Sequence, residues 1–258
     1  MNGGSHISSL LKQSRFCRQL WNAFRSGLPQ AVRHMCSALQ AEHRIRCYLK
    51  TTAEPRLHLG AGTNILHGWL NTDLEPQRSE IVMLNVTQRL PLPDAGFRAV
   101  YAEHLIEHLS YEQALQLLRE CWRVLQPGSR LRIVTPDLGK LVGLFTTATN
   151  GEAIAATHEY VRLLLPGTES HQRTFVLNNE FRSWGHQFLY DRSTLEDLLL
   201  SAGFVSPAWR DIGESDCVHL SNLERHGQAI GSDLVNRYFS MAVEVERPRP
   251  VPASYSKS

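Results

Sequence analysis

The stretch Leu57-His58-Leu59-Gly60-Ala61-Gly62-Thr63, continuing to Trp69-Leu70-Asn71-Thr72-Asp73, constrains this chain more than any other. A short apolar run opens behind Pro55. Two glycines follow one residue apart, and a second apolar run ends in a carboxylate. That order predicts a strand, a tight turn, an abbreviated helical turn and a second strand. The glycines let the backbone turn sharply and approach a ligand where a Cβ would clash. An acid at the tip of the neighbouring strand can hydrogen-bond a ribose diol. The stretch reads as a nucleoside-binding crevice at the carboxyl ends of parallel strands. The plainer alternative is a glycine-rich turn with no ligand.

The dinucleotide fingerprint does not fit. It asks for G-x-G-x-x-G and an acid about 20 residues on. Here Ile65 stands where the third glycine belongs, and Asp73 follows Gly60 after only 13 positions. A helix that short presents its N-terminus poorly to a pyrophosphate.

The 258 residues suit one generous domain or a domain with appendages, and 42% hydrophobic residues suffice for a buried core. The net charge of +2 does not single out nucleic acid as a partner, but its distribution is uneven. Residues 1–50 hold eight Lys/Arg and one acid, Glu42; the remainder holds 19 basic and 24 acidic residues. The segment 1–50 is therefore read as a basic, amphipathic, helical N-terminal extension. In residues 5–28, Ile7, Leu10, Leu20, Trp21 and Phe24 fall near one helical face, with Lys12, Arg15, Arg18 and Arg25 near the other. Three readings stay open: docking on the main domain, contact with an anionic membrane surface, or a transit peptide. Five scattered cysteines without C-x-x-C argue against a disulfide framework or a thiolate zinc site, and fit a reducing, cytoplasmic compartment. No apolar run approaches the roughly 18 residues of a membrane span.

Past Asp73, Ile81–Val86 and Phe97–Ala102 read as strands three and four. Ser110 and Gln113 make a capping box for a helix that Pro127-Gly128 stops, and Arg130–Thr135 is a strand closed by Pro136. Strands alternating with helices predict a parallel sheet covered on both sides. Residues 138–190 are the least regular stretch, with one helix expected near 152–165; long connections in compact domains are usually functional or mobile. A second capping box is expected at Ser193–Glu196, with Gly203 as helix stop. Val218–Leu223 and Phe239–Val245 are candidate last strands, and residues 248–258 a loose tail.

Taken in order, the Gly60-Ala61-Gly62 turn, Asp73, Asn85, the Leu90-Pro91-Leu92-Pro93-Asp94 loop, Glu107-His108-Leu109, and Arg123-Val124-Leu125-Gln126-Pro127-Gly128 carry a resemblance. The chain resembles class I S-adenosylmethionine-dependent methyltransferases, specifically the type 11 branch. The likeness is firm over 55–137 and loose over 186–246. It implies an α/β, Rossmann-like, doubly wound, mostly parallel seven-stranded sheet with helices on both faces, spanning 51–247 with 138–190 as a substrate-side insertion. It also implies S-adenosylmethionine as cofactor. The backbone of Gly60, Ala61 and Gly62 would face its methionine part, and Asp73 its ribose hydroxyls. Asn85 and Val86 would border the adenine, and Glu103, within the end of strand four, would close the pocket beside the sulfonium. Asn85 departs from the usual Asp, and Arg98 stands where an Asp is common.

Methyl transfer from a sulfonium needs mainly positioning and exclusion of water. A hydroxyl acceptor also needs a base, for which His104 and His186 are candidates, set against ordinary structural histidines. The expected activity is transfer to oxygen of a small-molecule or glycan-like acceptor. Alternatives are a non-catalytic binding protein of the same fold, or a zinc hydrolase built on His104-Leu105-Ile106-Glu107-His108, an H-x-x-E-H pattern. No metal is expected in the main reading. No nucleic-acid partner is expected either, because the basic segment lacks aromatic interleaving.

Overall fold

The computed structural model describes residues 30–146 and 151–250, with side chains described from residue 40 onward. The expected helix over 5–28 and most of the expected tail lie outside the described residues. The chain divides into two units, residues 1–44 and 45–258. Helix α1, Gln30–Thr51, contributes to both, and the first unit is described only through its helical residues 30–44.

In the second unit, Tyr48 on the last turn of α1 ties that helix to the sheet. Its hydroxyl oxygen lies 3.0 Å from the carbonyl oxygens of both Arg56 and Gly68, which share its one proton, and accepts the Arg56 N–H at 2.9 Å. Strand β1, Arg56–Leu59, sits between two neighbours, so Leu57, His58 and Leu59 are all buried. Strands β2 (Leu70–Asp73), β3 (Val82–Met83), β4 (Phe97–Glu103), β5 (Leu125–Pro136), β6 (Val205–Arg210) and β7 (Ser240–Glu246) complete a seven-stranded sheet. Its order is β3-β2-β1-β4-β5-β7-β6; only β7 runs antiparallel to its neighbours. The ends of β1 and β4 lie side by side, Leu59 opposite Ala102, which brings the glycine turn against Glu103 and His104.

No helical turn links β1 to β2. Asn71 holds that loop instead: its Oδ1 accepts the Leu66 N–H at 2.9 Å, and its amide donates to the carbonyls of Leu66 and Trp69. Helix α2, Tyr111–Val124, starts at the Ser110–Gln113 capping box as expected, and buries Ala114, Leu117, Leu118, Cys121 and Val124. It ends earlier than Pro127-Gly128, and β5 begins at once at Leu125.

Three other expectations are corrected. Residues 138–190 hold helices α3 (Leu138–Thr146), α4 (Gly151–Leu164) and α5 (Arg173–Arg182), not one helix in an irregular connection. With the short α8 (Asp233–Phe239) they enclose a core of Leu141, Leu144, Ala156, Tyr160, Val176 and Phe239. Helix α6, Arg192–Ser201, is capped by Asp191, which accepts the Thr194 N–H at 2.8 Å, so Ser193 lies inside the helix. Val218–Leu223 is not a strand, and Val218 is 81% exposed. The sixth strand is Val205–Arg210. Pro207 argues against a strand in sequence, but β6 is an edge strand with a register shift near Ser206, where a missing N–H costs no ladder bond.

Candidate active site

The crevice at the carboxyl ends of β1 and β4 is a cavity of about 520 Å³. Gly60, Ala61, Gly62, Thr63, Asn64, Glu103 and His104 line it. So does the segment Arg225–Ala229, which starts helix α7 (His226–Ile230). Gly60 and Gly62 both have positive φ, at 63° and 50°. A Cβ on Gly60 would stand 3.0 Å from the Leu105 side chain, whereas one on Gly62 would meet nothing within 4 Å. The first glycine is thus needed for close packing and the second for the turn itself. Asp73 faces this turn: its Oδ2 accepts the Gly62 N–H at 2.8 Å and its Oδ1 the Glu75 N–H at 2.9 Å. An ionised carboxylate has about four acceptor positions, so both oxygens keep capacity for a ligand hydroxyl.

Glu103 does two things at once. It lines the cavity, and its carboxylate accepts the backbone N–H groups of Arg225 and His226 at 3.0–3.1 Å, anchoring the start of α7. Burial raises its pKa against the pull of those two bonds. Asn85 and Val86 are not among the residues lining the cavity, and neither is Asp73. The Asn85 Oδ1 instead accepts the N–H and hydroxyl of Thr87 at 3.0 and 2.8 Å, closing a local turn.

A second, smaller cavity of about 150 Å³ adjoins the first and shares His104 and His226 with it. Its other walls are His108, His186, Glu180, Tyr160, Trp184 and apolar residues of α4, α7 and α8. His104 sits on the partition with a left-handed backbone, φ 48°. Its Nδ1 faces Glu107 Oε1 at 3.0 Å, its Nε2 lies 3.3 Å from Ser240 Oγ, and its ring stacks on His226 at 3.8 Å. Glu107 is fully buried, and its Oε2 accepts the Thr135 hydroxyl at 2.9 Å.

The charges in this cluster follow from those contacts. Burial opposes the His104 imidazolium, but the hydrogen bond and charge of Glu107, with Glu103 and Glu180, outweigh it and raise the pKa. Burial likewise opposes the Glu107 carboxylate, and His104 outweighs it and lowers the pKa. Each partner thus favours the charged form of the other. The neighbours stay neutral: burial and then the His104 charge push His226 down to about 3, and burial lowers His108.

His104 and Glu103 thus meet at the crevice with the glycine turn. His186 stands in the smaller cavity, its Nδ1 donating to the Glu180 carbonyl at 2.7 Å. The H-x-x-E-H hydrolase reading loses its helix. Only Ile106–His108 form a single 3-10 turn, and His104 contacts Glu107 itself instead of sharing a helical face with His108. Sequence reasoning missed His226, Glu180 and Tyr160, which come from helices it did not place or did not connect to the crevice. The Tyr160 hydroxyl donates to Glu180 Oε1 at 2.7 Å. The one available signal was the histidine content, 12 in the chain, several beside buried acids.

A family model described as "Methyltransferase domain" matches residues 57–133, the stretch that supplies the glycine turn, Glu103, His104 and Glu107. The match is confined to that segment of the chain. No curated protein matches the chain. Among solved structures, it is similar to a SAM-dependent methyltransferase from Archaeoglobus fulgidus. The identity there is 16%, with 80% of this chain and 93% of that chain covered and a TM-score of 0.45. It is similar to an S-adenosylmethionine-dependent methyltransferase from Mesorhizobium loti at 16% identity, with coverage of 80% and 98% and a TM-score of 0.45. The matched segment places its glycine turn and strand-four terminus on the larger cavity. The smaller cavity draws on residues beyond the matched segment.

Proposed function

We propose that the chain transfers a methyl group from S-adenosylmethionine to an oxygen of a small-molecule or glycan-like acceptor. The observation that carries this reading is the pair of adjoining cavities that share His104 and His226 as their partition. The larger cavity has room for an adenosyl ligand, and the space above Gly62 is open to its approach. Gly60 to Gly62 and Asp73 would hold the amino-acid and ribose portions, and Glu103 would place negative charge beside the sulfonium. When bound, that cofactor supplies an electrophilic methyl with a neutral thioether as leaving group.

The smaller cavity, about 150 Å³, admits only the reacting end of an acceptor; whole drug-sized ligands occupy roughly 300–1,000 Å³. Within it, His104 Nε2 is the group placed to receive the acceptor's hydroxyl proton. Glu107 on Nδ1 fixes the ring and stabilises the imidazolium that forms. Geometry of this kind contributes through positioning and through proton transfer, the latter typically worth about 10²–10⁴-fold.

Calorimetry with S-adenosylhomocysteine and, separately, NAD tests the reading. One-to-one binding of the first and none of the second is expected. Asp73→Ala should weaken S-adenosylhomocysteine at least about tenfold, roughly 1.4 kcal/mol, while leaving the circular dichroism unchanged. Preference for NAD, or unaltered affinity in the variant, would overturn it.

A further inference from the structure

Glu107, His108 and His186 offer three ligand atoms that all lie within 4.8 Å of one another. We propose that these three side chains bind one divalent transition-metal ion of the zinc class, at the wall of the smaller cavity.

The hydrogen bonds around the three residues are those a metal site needs. His186 donates Nδ1–H to the Glu180 carbonyl at 2.7 Å, which leaves Nε2 with its lone pair. The His108 ring is hydrogen-bonded to the Trp184 backbone, which leaves its other nitrogen available. Metal-bound histidines are oriented in this way, each by a carbonyl or carboxylate on the far nitrogen. Glu107 receives one bond on each oxygen, from His104 at 3.0 Å and Thr135 at 2.9 Å, and each oxygen keeps a further lone pair.

The backbone staples the ligand segments together. The N–H groups of Gln187 and Phe188 donate to the Glu107 carbonyl, and the Gln187 amide donates to the His108 carbonyl. Positive φ at Trp184 and Gly185 turns the chain so that His186 meets His108, with ring centroids 4.9 Å apart.

An independent observation asks for a cation here. Glu180 is 6% exposed, lines the cavity, and its Oε2 has no hydrogen-bond partner. A buried carboxylate, Glu180, therefore borders a space whose lining holds no lysine or arginine, its Oε2 3.7 Å from His186 Nδ1. Two histidines and one glutamate are also a donor set that catalytic zinc uses, with an open position for water or substrate. Zinc at about 2.1 Å from each ligand puts tetrahedral ligands roughly 3.4 Å apart, so no pair has to close by more than roughly 1.4 Å.

The role of the ion rests on the oxygen-methylation reading; its binding does not. At that wall it would bind the acceptor oxygen as a Lewis acid and ease loss of its proton to His104 Nε2. The oxygen–carbon bond then forms as the carbon–sulfur bond breaks, and the neutral thioether leaves.

The test uses the full chain, chelator-stripped and without a histidine tag, titrated with cobalt(II). One equivalent should bind with d–d absorption of a low-coordinate site and be displaced by zinc. His186→Asn keeps a donor for the Glu180 carbonyl but lacks Nε2; its cobalt affinity should fall at least about tenfold, with S-adenosylhomocysteine binding and circular dichroism unchanged. His108→Gln should do the same. Absence of saturable one-to-one binding by the native chain overturns the site whether or not the variants fold. Equal affinity in both variants overturns it too. Stoichiometric cobalt binding in a chain that fails to bind S-adenosylhomocysteine supports the site and sinks the methyltransferase reading.

Discussion

Strand β5 carries two clusters of buried charge, one on each face of the sheet, because Arg132 and Thr135 differ in parity along it. On the first face the Arg132 guanidinium has every N–H engaged. It reaches Glu224 at 2.7 Å, Glu244 at 2.9 Å, and the carbonyls of Glu214 and Asp211 at 2.8 and 3.2 Å. Its side chain and those of Glu224 and Glu244 are at most 3% exposed. On the other face Thr135 meets Glu107, and there the cluster of His104, His108, His186, His226 and Glu180 opens onto a cavity. The first cluster pins the turn-rich loop 211–225 to the sheet. Each cluster leaves one carboxylate oxygen without a hydrogen-bond partner, Glu224 Oε2 in the first and Glu180 Oε2 in the second, but only the second opens onto cavities, with 16% of the His104 side chain exposed there. Buried charge paired with Arg132 holds the loop that positions α7; buried charge bordering a cavity is where chemistry is available.

The largest effect should come from breaking the Arg132 cluster. Arg132→Met leaves the buried Glu224 without its cation and Glu244 with Arg130 alone, and removing one partner of a buried pair costs about 3–5 kcal/mol. Urea denaturation measures it. In the open cluster Glu180→Gln keeps an acceptor for the Tyr160 hydroxyl and replaces an oxygen that has no hydrogen-bond partner, so it should move stability by less than about 1 kcal/mol. Similar losses in the two variants would erase the distinction drawn between the faces.

Acid should separate the clusters next. His226 in the folded chain titrates at about 3, against about 6.5 when unfolded. Between those values the unfolded chain holds a proton that the native chain refuses, so this contribution weakens as pH falls from 6.5 toward 3 and is fully present above 6.5. The slope is about 1.4 kcal/mol per pH unit, near 3 kcal/mol over two units. His104 has the opposite sign: its raised pKa stabilises below 6.5, and that stabilisation is lost as pH rises through the folded value. Stability measured from pH 4 to 6.5 should therefore be flatter in His226→Gln than in the native chain. The Arg132→Met variant should keep the native slope, merely displaced.

The unequal legibility of the molecule has the same physical root. Leu57, Gly60, Gly62, the Ser110 cap and the alternation of β4 and β5 are local signals, and they read correctly as strand ends, turn and helix start. Asn71 was not legible as the brace of the β1–β2 loop, because an amide that satisfies three backbone groups looks like any polar strand residue. Strand β6 was missed because Pro207 is forbidden only where both ladder edges are used. Asn85 was assigned to the adenine from resemblance, while its side chain closes a turn with Thr87. The site was half-visible. Glu103 ends the fourth strand and His104 follows it directly, but His226 lies some 120 residues away and reaches them through a bond from its N–H to Glu103 and the stack of its ring on His104. No periodicity in the sequence carries a juxtaposition of that kind.

The smallest expected effect is the most informative about the open cluster. His104→Gln keeps a hydrogen-bonding group toward Glu107 but cannot take a proton. Turnover should fall about 10²-fold, near 2.7 kcal/mol of transition-state stabilisation, the low end for a positioned base. The affinity for S-adenosylhomocysteine should change little, whereas the urea midpoint should fall, because the buried Glu107 loses its cationic partner. The pH profile is the decisive readout. In the native chain turnover should rise with pH until His104 has lost its proton, above the ordinary histidine value because Glu107 favours the imidazolium. That rise should be absent in the variant. A variant that loses turnover but keeps the native pH limb would show that His104 merely shapes the partition. The proton would then have to leave by way of His186 or His226 instead.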